Sequence, residues 1–97
     1  MSTTKECKEY ILEKLDVMEY ITCRPMMGEY LLYYKSVLFG GIYDGRLLVK
    51  KTAHNKVYAL PEEIPYKGAK TMYKLDVDDQ EFVCKVILDT YEDCKKK

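Results

Sequence analysis

The segment from Glu29 to Lys50 constrains this chain most. Two apolar runs meet there at Asp44-Gly45. An Asp-Gly pair between such runs selects a type I′ hairpin, because both central residues need positive φ and these two tolerate it. Upstream, Glu29-Tyr30-Leu31-Leu32-Tyr33-Tyr34 reads as a strand apolar or aromatic on both faces, and Lys35-Ser36 as a tight turn. Val37 to Tyr43 is the second strand and Arg46 to Lys50 the third, which together make a three-stranded antiparallel meander. Gly40-Gly41 weakens the middle strand, and such a pair permits a bulge or the close approach of a helix.

Helices flank the meander. Thr3 and Glu6 have capping-box spacing, and Cys7, Ile11, Leu15 and Met18 follow at i, i+4, i+8 and i+11, with Leu12 widening the stripe. They predict a helix over residues 3–20. Thr52 caps a short helix over 52–58, and Pro61 and Pro65 impose an extended loop around Glu62 and Glu63. Lys70 to Asp76 reads as a strand. Asp78 with Glu81 opens a last helix, whose inner face is Phe82, Val83, Val86, Ile87, Thr90, Tyr91 and Cys94. The predicted order is α-β-β-β-α-β-α, an α+β domain with the N- and C-terminal helices on one sheet face. The 97 residues form one domain. Ten Tyr, two Phe and no Trp fit a thin protein with many half-buried rings.

The net charge of zero is a cancellation. Residues 1–45 carry a balance of −2, residues 46–74 of +5 and residues 75–94 of −6, and the three terminal lysines supply the rest. The ordinary reading is two solvated faces of opposite sign. The functional readings are a basic patch for an acidic partner and self-association into a homodimer. Zero net charge disfavours a direct nucleic-acid binder, which normally carries a strong basic excess. No run approaches a membrane span, and the first residues lack a signal-peptide core, so a cytoplasmic protein is expected.

Chemical motifs are sparse. Cys7, Cys23, Cys84 and Cys94 form no Cys-x-x-Cys pair, and free thiols are expected. The Asp76-to-Glu81 segment fails as a calcium loop, because Glu81 and Ile87 stand where Gly and a bidentate Glu are required. Phe39-Gly40-Gly41-Ile42-Tyr43 lacks the basic residue of an RNA-recognition strand. His54 is the single histidine and reads as a solvated surface residue, and no phosphate loop is present. No enzyme, cofactor or metal site is expected. Arg24-Pro25-Met26-Met27-Gly28-Glu29-Tyr30 stands out at the entry to the meander. It reads as a buried Arg–Glu or Arg–carbonyl contact with a bulge at Gly28, or else as a recognition edge.

Three blocks in order carry a family resemblance: Arg24 to Tyr34, Val37 to Lys50, and Pro65-Tyr66-Lys67-Gly68-Ala69-Lys70 with Met72-Tyr73. In these the chain resembles the N-terminal domain of the TfoX/Sxy family of bacterial competence regulators. The resemblance implies a small α+β domain over residues 1–97. It also implies a regulatory, non-enzymatic role, since full-length members activate transcription of DNA-uptake genes together with the cyclic-AMP receptor protein. Those members carry a second, helical domain, and this chain is expected to be a free-standing N-terminal-type domain. The resemblance transfers no catalytic or binding residues. From the meander itself, the candidates for contact with a protein partner are Arg24, Glu29, Tyr34, Tyr43 and Arg46. Each also has a structural reading, with the Tyr hydroxyls capping sheet edges and Arg46 closing the hairpin. The alternatives are a small-molecule-binding domain or undetected enzyme, with Arg24 and Glu29 pointing into a closed pocket, and direct DNA binding through Arg46, Lys50, Lys51, Lys70 and Lys74.

Overall fold

A computed structural model describes residues 3–95. Helix α1 (Lys5–Lys14) runs into a 3-10 turn (Leu15–Val17) and is followed by strands β1 (Ile21–Met26), β2 (Glu29–Tyr34), β3 (Val37–Tyr43) and β4 (Arg46–Val49). A 3-10 turn (Lys56–Tyr58), the two-residue strand β5 (Glu62–Glu63), β6 (Met72–Leu75) and helix α2 (Gln80–Cys94) complete the chain. The six strands form one antiparallel sheet in the order β1-β2-β3-β4-β6-β5. The protein is an α+β domain. Ile11, Leu15, Val83, Val86 and Ile87 from the helical segments share one core with Leu32, Phe39, Ile42, Leu47 and Leu75 from the sheet. Burying each such side chain fully stabilises the fold by about 1.5–3 kcal/mol.

Five details correct the sequence reading. The meander has four strands, because the Arg24-Pro25 segment is itself an edge strand; its burial alternates and Pro25 is exposed. The predicted helix over 52–58 shrinks to a single 3-10 turn, and part of the Glu62-Glu63 loop pairs with β6. The first α-helix ends at Lys14. Both N-caps lie one residue later than predicted. Thr4 Oγ1 accepts from Cys7 N, and Asp79 Oδ1 accepts from Phe82 N.

The residues displaced from the caps have other partners. Buried Thr3 sits between two hairpin ends: its hydroxyl donates to Glu29 Oε1 at 2.6 Å and accepts from Gly45 N at 3.1 Å. Asp78 N donates to Asp76 Oδ1, while the Asp78 carboxylate accepts from Tyr10 Oη.

All three tight turns of the meander carry positive φ at both central residues: Met27-Gly28, Lys35-Ser36 and Asp44-Gly45. This is the type I′ pattern whose twist matches the strands. A bulge at Phe39 breaks the β2–β3 register, since Leu32 pairs with Gly40 and Tyr33 with Leu38. Gly40 is required there by close approach: a Cβ on it would lie 2.2 Å from Leu48 O and 2.9 Å from Val49 Cα.

Asn55, fully buried, joins the β4 exit to α2. Its Nδ2 donates to Lys50 O at 2.7 Å and to Thr90 Oγ1 at 2.8 Å, and its Oδ1 accepts from Thr52 N at 2.8 Å.

Two substitutions test this backbone account. Gly40→Ala should lower unfolding free energy by about 1–3 kcal/mol, because β4 backbone must move. Ser36→Gly, which relieves φ +68°, should raise it by about 0.5–1 kcal/mol. Urea unfolding reads both.

Candidate functional site

The register separates two sheet faces. One row runs Pro25, Tyr30, Ile42, Leu47, Leu75 and faces the helices; the next runs Arg24, Leu31, Gly41, Leu48, Lys74 and faces away from them. The outer face is divided. On the β4–β6 side, the segment after β5 folds across it as a roof: Pro65 is buried, and the Tyr66 ring lies 6.1 Å from Tyr43. This roof accounts for the burial of Tyr43 and Leu48 on a face the helices do not touch. On the β1–β2 side the face is open, with Arg24 exposed and Leu31, Tyr33 and Leu38 half-buried. Between the roof and β3 runs an open groove of about 900 Å³, whose lining includes Leu38, Tyr43, Tyr66, Met72, Lys50 and Lys70.

The five candidate residues disperse over this frame. Arg24 lies on the open half, its guanidinium 6.0 Å from the Tyr33 ring centre. Tyr43 lines the groove and its ring fills the space a side chain on Gly41 would need. Burial pushes the Tyr43 hydroxyl above its ordinary pKa, and Tyr66, Glu29 and Tyr33 add to the rise. Glu29 is engaged by the fold: Oε1 accepts from Thr3 N at 2.9 Å and Asp44 N at 3.1 Å as well as from the Thr3 hydroxyl. Tyr34 faces the helices and meets Tyr91 edge-on at 4.9 Å. Arg46 pins the roof: Nε donates to Tyr43 O, Nη1 to Glu63 Oε1 at 2.5 Å and Nη2 to Ile64 O at 3.2 Å. Arg24 and Glu29 therefore do not converge on a closed pocket.

The basic segment is reordered by β5. Glu63 accepts Arg46 and stands 3.7 Å from Lys74, while Glu62 accepts Lys51 at 2.6 Å. Hydrogen bonds from these cations are the main cause that holds both carboxyls below the usual carboxylate range. Of the five cations considered for DNA, only Lys50 and Lys70 have no carboxylate partner among the described residues. Sequence reasoning pointed to a patch near Tyr30–Tyr43 but did not single out Leu31, Tyr33, Leu38 or, outside it, Tyr66. The alternation of β2 against an edge β1 would have revealed the first two.

A second cleft of about 560 Å³ lies between α1 and the β4–β6 strands, lined by Cys7, Tyr10, Ile11 and Leu75; its two cations are Arg46 and Lys74, both held by Glu63. All four cysteines are free thiols, and burial raises the pKa of Cys23 and Cys84. Among the described residues no three His, Cys, Asp or Glu side chains converge as a metal site, and no helix is long and apolar enough to cross a membrane. No protein-family model matches the chain, and no curated protein matches it.

His54 is paired. Its Nδ1 lies 2.5 Å from Asp93 Oδ1, and its backbone N–H donates to Asp93 Oδ2 at 2.9 Å. These bonds, the backbone one first, lower the Asp93 carboxyl from 3.8 to about 2. The folded state thus holds fewer protons here than the unfolded chain. The stabilisation is complete above the ordinary carboxylate value and is lost as pH falls through about 2. Asp93→Asn should therefore lower the urea midpoint at pH 6 and flatten its decline between pH 4 and pH 2. A decline as steep as that of wild type would refute this role.

Proposed function

We propose that this chain is a non-enzymatic protein-interaction domain, similar to the N-terminal domain of TfoX-type regulators, which engages a regulatory protein through the outer sheet face. One observation carries the reading. The outer face of β1–β3 presents Leu31, Tyr33 and Leu38 beside exposed Arg24, with no helix over them. An apolar centre with an aromatic and an Arg is a common composition of a protein contact. The edge position of β1 supports the same role, since an edge strand leaves backbone donors and acceptors free for a partner. The resemblance of the meander residues to the TfoX/Sxy pattern suggests a regulatory setting.

Affinity capture from bacterial lysate with the immobilised chain tests the reading. A specific protein should be retained by wild type and lost with Arg24→Ala plus Tyr33→Ala, a variant whose unfolding midpoint should stay close to wild type. Capture of nothing by wild type, or equal capture by the variant, would count against it.

A further inference from the structure

The groove beside the open face carries a charge pattern that selects among partners. We infer that it takes an extended acidic segment of the partner protein, with apolar side chains lying against Ile64, Tyr66 and Met72 and carboxylates meeting Lys50 and Lys70. This deepens the interaction reading above and rests on it.

The argument starts from which cations are free. In the β4–β6 region, Arg46, Lys51 and Lys74 are answered by Glu62 and Glu63. Lys50, at the β4 exit, and Lys70, just before β6, are exposed, and neither has an ion pair or side-chain hydrogen bond among the described residues. Both line the groove, as does Lys51, which Glu62 holds. An anionic partner gains their attraction without breaking an internal pair.

The groove between them is amphipathic. Ile64 is 53% exposed and Tyr66 56% exposed, on a roof held from below by Pro65 and by Arg46. Such half-exposed apolar groups favour an occupant that brings apolar side chains of its own. The roof is also held in place: Arg46 fixes Ile64 O, and Ala69 N donates to Tyr66 O at 3.0 Å. A pre-formed groove avoids part of the ordering cost of binding.

The same pattern argues against nucleic acid. A phosphate backbone needs many cations along one track. Here Glu63, beside Met72 on the groove side, engages Arg46 and Lys74, and Glu62 holds Lys51, so among the described cations lining the groove only Lys50 and Lys70 are left free.

Fluorescence anisotropy on the full chain tests the inference. The probes are a labelled 12-residue peptide of glutamates alternating with leucine and phenylalanine, its lysine-for-glutamate counterpart, and an 18-base-pair DNA duplex. The acidic peptide should bind, weaken as salt rises and lose about tenfold in affinity in Lys50→Glu plus Lys70→Glu. Tyr66→Ala should weaken it at constant salt dependence. The lysine peptide and the duplex should bind at least tenfold more weakly than the acidic peptide. Equal binding of the two peptides, preference for the duplex, or undiminished binding by the double-lysine variant overturns the inference. A dimer of the chain that the same variant dissolves would make the occupant a second copy and overturn it too. Lysate capture by the double-lysine variant separates the two levels. Retention of the wild-type partner rejects the groove and leaves docking through Arg24 and Tyr33 standing, whereas capture of nothing by wild type rejects the interaction reading itself.

Discussion

The sheet depends on one place where no side chain fits. Gly40 sits against the β4 backbone so closely that a Cβ would overlap Leu48 O. The neighbouring bulge at Phe39 lets Phe39 and, three residues on, Ile42 both enter the core, which strict alternation would forbid. Gly41 completes the arrangement on the other side, where the Tyr43 ring occupies the space a side chain would need. The middle strand thus gives its inward face to α2 and its outward face to an aromatic that supports the roof. Without Gly40-Gly41, the two faces could not both be packed.

Much of this was legible because the signals are local. Asp44-Gly45 names its own turn, and the last helix buries Val83, Val86, Ile87 and Thr90 as its periodicity predicts. What escaped is non-local. Strand β1 reads poorly because an edge strand needs only alternate residues inward, and Pro25 argues against a strand anywhere but at an edge. Strand β5 is two glutamates, and only β6 beside it makes them a strand. The caps moved by one residue for the same reason. Thr3 has the right spacing to cap, but a hydroxyl held by a carboxylate 26 residues away is no longer free to do so.

The candidate surface was half legible. Of the candidates on or beside the meander, Arg24 and Tyr43 lie on the outer face, while Glu29 and Arg46 carry hydrogen bonds that hold hairpin ends and roof together. Charge in sequence does not distinguish a cation awaiting a partner from one already answered. Residues 46–74 carry a balance of +5, yet the two glutamates of β5 are placed where they engage three of the cations. The surplus left at the groove is local and small.

That placement bears on what the outer face can recognise. Ten tyrosines and no tryptophan give this chain rings that pack on one side and stay wet on the other. On the helix side two are engaged internally: Tyr34 meets Tyr91, and Tyr58 meets Phe82 while its hydroxyl donates to Asp89. On the outer side the ring centre of half-buried Tyr33 lies 6.0 Å from the Arg24 guanidinium, and exposed Tyr66 lines the same groove as Lys50 and Lys70. A surface of this kind rewards a ligand that is apolar and anionic at once. Among the described residues lining the groove, a purely charged ligand meets two free lysines, and a purely apolar one a rim it must desolvate.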